Sequence, residues 1–148
     1  MAKRVLETFV SKGKYEDRTD STIFVGCSMG SCGPHNERFL KWRGCKLADR
    51  ILVPGSVGSF VKDPNRYEDI RFLSKAHDVK LILAIQHLRC AFYLDENNQL
   101  PVEIYERQMK DMGIWTQEVK LINPHTDIEL YYQEPNQDER LAFRPLYR

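Results

Sequence analysis

The chain of 148 residues carries 22 Lys plus Arg against 21 Asp plus Glu, a net charge of +1, with 42% hydrophobic and 11% aromatic residues. This is the balance of an ordinary globular protein, and it lacks the clustered basic excess that nucleic acid or an anionic membrane surface requires. Four cysteines are too sparse for a disulfide scaffold and are read as core residues, metal ligands or reactive thiols.

No apolar run approaches the roughly 20 residues needed to span a bilayer. The charged start, Met1 to Glu7, lacks the apolar core of a signal peptide, so a cytoplasmic protein is expected. Residues 1–20 read as an N-terminal arm with a short helix over Val5 to Lys12, residues 21–133 as a single α/β domain, and residues 134–148 as a charged C-terminal tail. Within the domain, Thr22-Ile23-Phe24-Val25 is the first strand, followed by a small-residue loop over Gly30 to Pro34. A helix is expected from His35 to Arg43, with Phe39, Leu40 and Trp42 as its apolar positions.

Arg50 to Val53 is a second strand, broken by the turn Pro54-Gly55-Ser56-Val57-Gly58. Pro64 opens a helix to about His77, with Ile70, Leu73 and Ala76 at helical spacing. Lys80 to Ile85 is a third strand, whose unbroken apolar run suits a parallel strand covered on both faces. Asp95 to Asn98 reads as a turn and Pro101 to Met112 as a helix, with strands over Glu118 to Ile122 and Ile128 to Tyr132. Strands alternating with helices indicate βαβ units, and hence a mainly parallel sheet flanked by helices.

Ligands of open α/β sheets bind at the carboxyl ends of the strands. Cys27 lies two residues beyond Val25 and His87 two beyond Ile85, so both fall at that edge; Cys90 reaches it if the chain curls back after His87. Two thiols and an imidazole give zinc three protein ligands with a fourth position open, the pattern of a catalytic site. The same residues also fit a plainer alternative, with Cys27 and Cys90 as small buried residues and His87 as a hydrogen-bonded strand-end histidine. Cys32 is a loop or core cysteine, or else a fourth ligand or redox partner of Cys27, and Cys45 reads as structural or exposed.

His35 has the intrinsic pKa for a proton shuttle, or simply starts a helix, while His77 and His125 read as solvated. Asp49 and Arg50 precede a strand, at the edge away from the crevice, and read as structural. Phe92, Tyr93, Tyr131 and Tyr132 read as a pocket wall or a subunit contact, the contact being favoured, or else as core aromatics.

Over residues 20–94 the order of segments resembles the β-class carbonic anhydrases. That family has Cys-Ser-Asp-Ser-Arg after a first strand, Arg-Asn-Ala-Gly-Asn after a middle strand, and His-x-x-Cys after a third. Here these correspond to Cys27-Ser28-Met29-Gly30-Ser31, Gly55-Ser56-Val57-Gly58-Ser59 and His87-Leu88-Arg89-Cys90, with Ala48 to Val53 resembling the run into the middle strand. The resemblance implies a β-carbonic-anhydrase-like fold, zinc held by Cys27, His87 and Cys90, and a pocket near Ser28, Met29, Ser31 and Gly58. It also implies a homodimer or larger even-numbered oligomer acting on a small-molecule substrate or anion.

The departures are specific. Met29 and Ser31 stand where the family has a paired aspartate and arginine, the middle turn lacks the family's arginine and asparagines, and Ala91 replaces a glycine. The expectation is therefore hydroxide generated at zinc attacking carbon dioxide or a similar small electrophile, with activity reduced or altered. A zinc-stabilised binding or regulatory protein without catalysis, and a metal-free thiol redox protein using Cys27 and Cys32, are the alternatives.

Overall fold

A computed structural model of the chain describes residues 11–12, 17–94 and 100–147. Most of the expected N-terminal helix over Val5 to Lys12 and the whole turn over Asp95 to Asn98 lie outside them.

Four apolar segments form parallel strands: β1 (Thr22–Cys27), β2 (Asp49–Val53), β3 (Leu81–His87) and β4 (Asp127–Pro135). A fifth strand, β5 (Leu141–Tyr147), pairs antiparallel to β4, and the sheet order is β2-β1-β3-β4-β5. The helices are α1 (Gly33–Arg43), α2 (Val57–Lys62), α3 (Tyr67–Ala76) and α4 (Pro101–Ile122). This is an α/β fold with a mostly parallel sheet, as the strand–helix alternation predicts.

Because successive strand residues point to opposite faces, the sheet sorts its apolar side chains into two cores. Ile23, Val25, Ile82, Ala84, Ile128 and Leu130 face Phe60 of α2, Ile70 of α3 and Trp115 of α4. Phe24, Leu83, Ile85 and Tyr131 face Phe39 and Leu40 of α1, where Phe143 of β5 stacks on Phe39 with ring centroids 4.6 Å apart. α1 begins with Pro34 in its first turn and ends at Gly44, whose φ of 82° makes the left-handed cap that a side chain would disfavour.

Four expectations change. Glu118 to Ile122 is not a strand but the last turns of α4, because Ile104, Gln108, Met112, Trp115 and Val119 recur every three or four residues and form one buried stripe. The expected charged tail over residues 134–148 belongs largely to the sheet as far as residue 147: Glu134 and Pro135 end β4, and β5 adds a strand. The middle turn is shorter than read, since α2 starts at Val57. Trp42, expected on the apolar side of α1, is 78% exposed.

Among the histidines, His77 is not merely solvated, for its Nδ1 meets Asp49 Oδ2 at 2.5 Å; this closes the edge opposite the strand ends. Asp49 and Arg50 are structural as expected, with Arg50 held by Glu37. Tyr93, Tyr131 and Tyr132 are buried side chains, matching the core alternative, and Cys45 is buried too.

Candidate metal centre

The chain leaves β1 toward β2 on one side and later returns as β3 on the other, so the strand order reverses between β1 and β3. At such a switch point the connections diverge and leave a crevice beyond the carboxyl ends. Cys27 is the last residue of β1 and His87 the last of β3, which puts both at this crevice. After His87 the chain turns sharply: Leu88 N–H donates to Gln133 O at 3.0 Å, and Arg89 takes a φ of 57°. A non-glycine residue in that left-handed region is held there by its surroundings, and the turn swings Cys90 back toward Cys27.

The sulfur of Cys27 lies 3.9 Å from that of Cys90, and the ligand atoms of Cys27, His87 and Cys90 all lie within 4.8 Å of one another. A disulfide needs about 2.05 Å between sulfurs, so these thiols are free. Two sulfurs each about 2.3 Å from a tetrahedral zinc would sit about 3.8 Å apart. The observed spacing is that of ligands around a shared ion.

The imidazole settles its own tautomer. Nδ1 of His87 lies 2.9 Å from Leu88 O, an atom that only accepts, so Nδ1 carries the proton. Nε2 is buried with no hydrogen-bond partner, and it presents a lone pair when the ring is neutral. An orphaned buried nitrogen is uncommon, and a ring nitrogen fixed from behind by a carbonyl is how histidine ligates metals. The residues fit a metal ion.

Electrostatics follow from the same packing. The Cys27 thiol is held far below its ordinary pKa, first by the hydrogen bond from Cys90, with smaller help from His87 and the backbone amides of Met29 and Gly55 working against burial. Cys90 is pushed up, because its proton is the one shared with Cys27 and burial disfavours its charge. For His87 burial is the largest influence and pulls down, but the Cys27 sulfur and the Leu88 carbonyl together leave it raised.

Buried amides support the ligands from behind. Gln108 of α4 donates to His87 O at 2.9 Å and accepts from the Tyr132 hydroxyl at 3.1 Å. Gln86 donates to Gly55 O and to the Tyr93 hydroxyl, which donates to Asp111 Oδ2 at 2.7 Å. The middle turn belongs to this support, for Gly55 has a φ of 75° and a Cβ there would overlap the Phe92 ring. Gly58 is therefore not a pocket residue: Tyr93 and Phe92 fill the space its side chain would take.

Beside His87 a cavity of about 380 Å³ opens, lined among others by Met29, Ser31, Cys32, His35, Arg89 and Gln133. Met29, Ser31 and His35 are among the residues that line this cavity, whereas Ser28 is exposed and not among them. Cys32 is buried at the cavity wall but outside the three-ligand group, its thiol pushed up by burial and then by the charge on Cys27. Gln86, Gln108, Arg89 and Gln133 were not singled out in the sequence. The available signal was an uncharged polar residue closing an apolar strand, as at Gln86 and Gln133.

Comparison with known proteins finds no matching family model, no matching curated protein and no matching solved structure. Among the described residues no helix is long and apolar enough to cross a membrane.

Proposed function

We propose that this chain is a zinc-binding protein of the β-carbonic-anhydrase type, holding one ion through Cys27 Sγ, Cys90 Sγ and His87 Nε2 and acting on carbon dioxide or a similar small electrophile. The observation that carries the reading is that His87, whose Nε2 is buried without a hydrogen-bond partner, has its ligand atom within 4.8 Å of the sulfurs of Cys27 and Cys90. Thiolates with imidazole select zinc over magnesium or calcium, whose ligands are oxygens. Zinc with an open position supplies a Lewis-acidic centre where a nucleophile becomes available near neutral pH.

The chain's own residues shape what enters. Met29 brings no oxygen to the cavity wall, so no carboxylate from that position competes for the open site. Ser31 brings no guanidinium, and none of the residues lining the cavity is acidic. Arg89 and His35 leave the cavity with basic groups instead. An exogenous small molecule, rather than a side chain, is the natural occupant.

Stopped-flow hydration of carbon dioxide by zinc-loaded protein tests the activity. The expected result is hydration above the uncatalysed rate that disappears in Cys27→Ser and His87→Ala variants together with the zinc. Stoichiometric zinc without any hydration would remove the enzymatic half and leave a zinc-stabilised binding protein.

A further inference from the structure

One residue of the cavity lining carries a second buried nitrogen without a hydrogen-bond partner. Gln133 is the residue that pairs with His87 across β3 and β4, so the two side chains leave the same face of the sheet on adjacent strands. It is 2% exposed, lines the cavity, and its Nε2 is buried without a hydrogen-bond partner. An amide N–H left so has lost its hydration without compensation, and a ligand oxygen would restore the bond.

From this we infer that Gln133 is a substrate-binding residue, donating from Nε2 to an oxygen of a small oxyanion of the carboxylate or bicarbonate type. The inference deepens the zinc reading and rests on it for the ligand's other anchor. The polarity of the wall selects the ligand class. Gln133 Nε2 can only donate, Arg89 can only donate, and no carboxylate among the lining residues opposes a negative charge. A cavity of about 380 Å³ admits only a small molecule. Gln133 thereby orients the ligand from β4, on the far side of His87 from Cys27.

The test is a titration of ¹⁵N-labelled full-length protein, zinc-loaded and metal-free, with sodium bicarbonate and with sodium acetate at constant ionic strength, alongside zinc content. The expected result is a saturable shift of the Gln133 side-chain amide. In Gln133→Leu the same titration, followed at the neighbouring Leu88 amide, should show binding weakened about tenfold or more with zinc content unchanged. Gln133→Glu, nearly isosteric, should weaken it further through charge repulsion. A Gln133 resonance unmoved by either anion, or binding equally tight in both variants, overturns the assignment. If the wild type takes up no zinc, the metal reading fails by itself; the metal-free titration then decides Gln133 by the same criterion, a shift upholding it and no shift overturning it.

Discussion

At the scale of single residues the site divides into atoms that face one another and atoms that hold them. His87 shows the division within one ring, Nδ1 fixed on Leu88 O and Nε2 bare. The sulfurs differ too, Cys27 favouring thiolate and Cys90 retaining its proton. Since ligands must lose their protons to bind, affinity rises with pH; Cys27 has no proton to give near neutrality, while Cys90 has one. Calorimetry in buffers of unlike ionisation enthalpy should therefore find about one proton or somewhat more released per zinc at pH 7, and no release would contradict the assignment. Behind the ring, Gln108→Leu would strip a partner from both His87 O and the Tyr132 hydroxyl. Denaturant unfolding should show a loss of about 1–3 kcal/mol for each group left unpaired. The Cys27, His87 and Cys90 cluster was legible in the sequence because thiols and imidazole at strand ends carry their chemistry with them. Gln133 and Gln108 were not, because an amide acquires a role only through register and through which atoms around it lack partners.

Among the elements, α4 shows most plainly what a local reading misses. Read locally, Pro101 to Met112 is a helix and Glu118 to Ile122 a strand, whereas the structure has one helix of 22 residues. The buried stripe from Ile104 to Val119 overrides that reading by packing against the sheet. A crossover of this length is also what joining parallel β3 to β4 requires. Gly113 has no atom within 4 Å of where a Cβ would stand. Gly113→Ala should thus stabilise the protein by about 0.5–1 kcal/mol, read from the denaturation midpoint, and a loss of stability would mean that the helix is bent or crowded there. β1, β2 and β3 were legible for the opposite reason, each being a short apolar run bounded by turn residues. β5 was hidden because Leu141 to Tyr147 mixes Arg144 and Pro145 into a half-exposed edge strand, which reads as a tail until β4 supplies its partner.

Across the whole molecule, the candidate centre ties together positions far apart in the chain. Cys27 and Cys90 are 63 residues apart, and they meet only because the strand order reverses between β1 and β3. An ion bound there would bind the folded state alone, so it should stabilise the fold by about 2.7 kcal/mol at a hundredfold excess over its dissociation constant. Zinc added to metal-free protein should raise the melting temperature, and His87→Ala should abolish the rise. The most direct measurement is X-ray absorption at the zinc edge on the purified protein with its metal content determined in parallel. One zinc per chain, with two sulfurs at about 2.3 Å and one imidazole nitrogen at about 2.0–2.1 Å, is the result this account predicts. A shell of oxygens alone, or a protein that takes up no zinc, would contradict it.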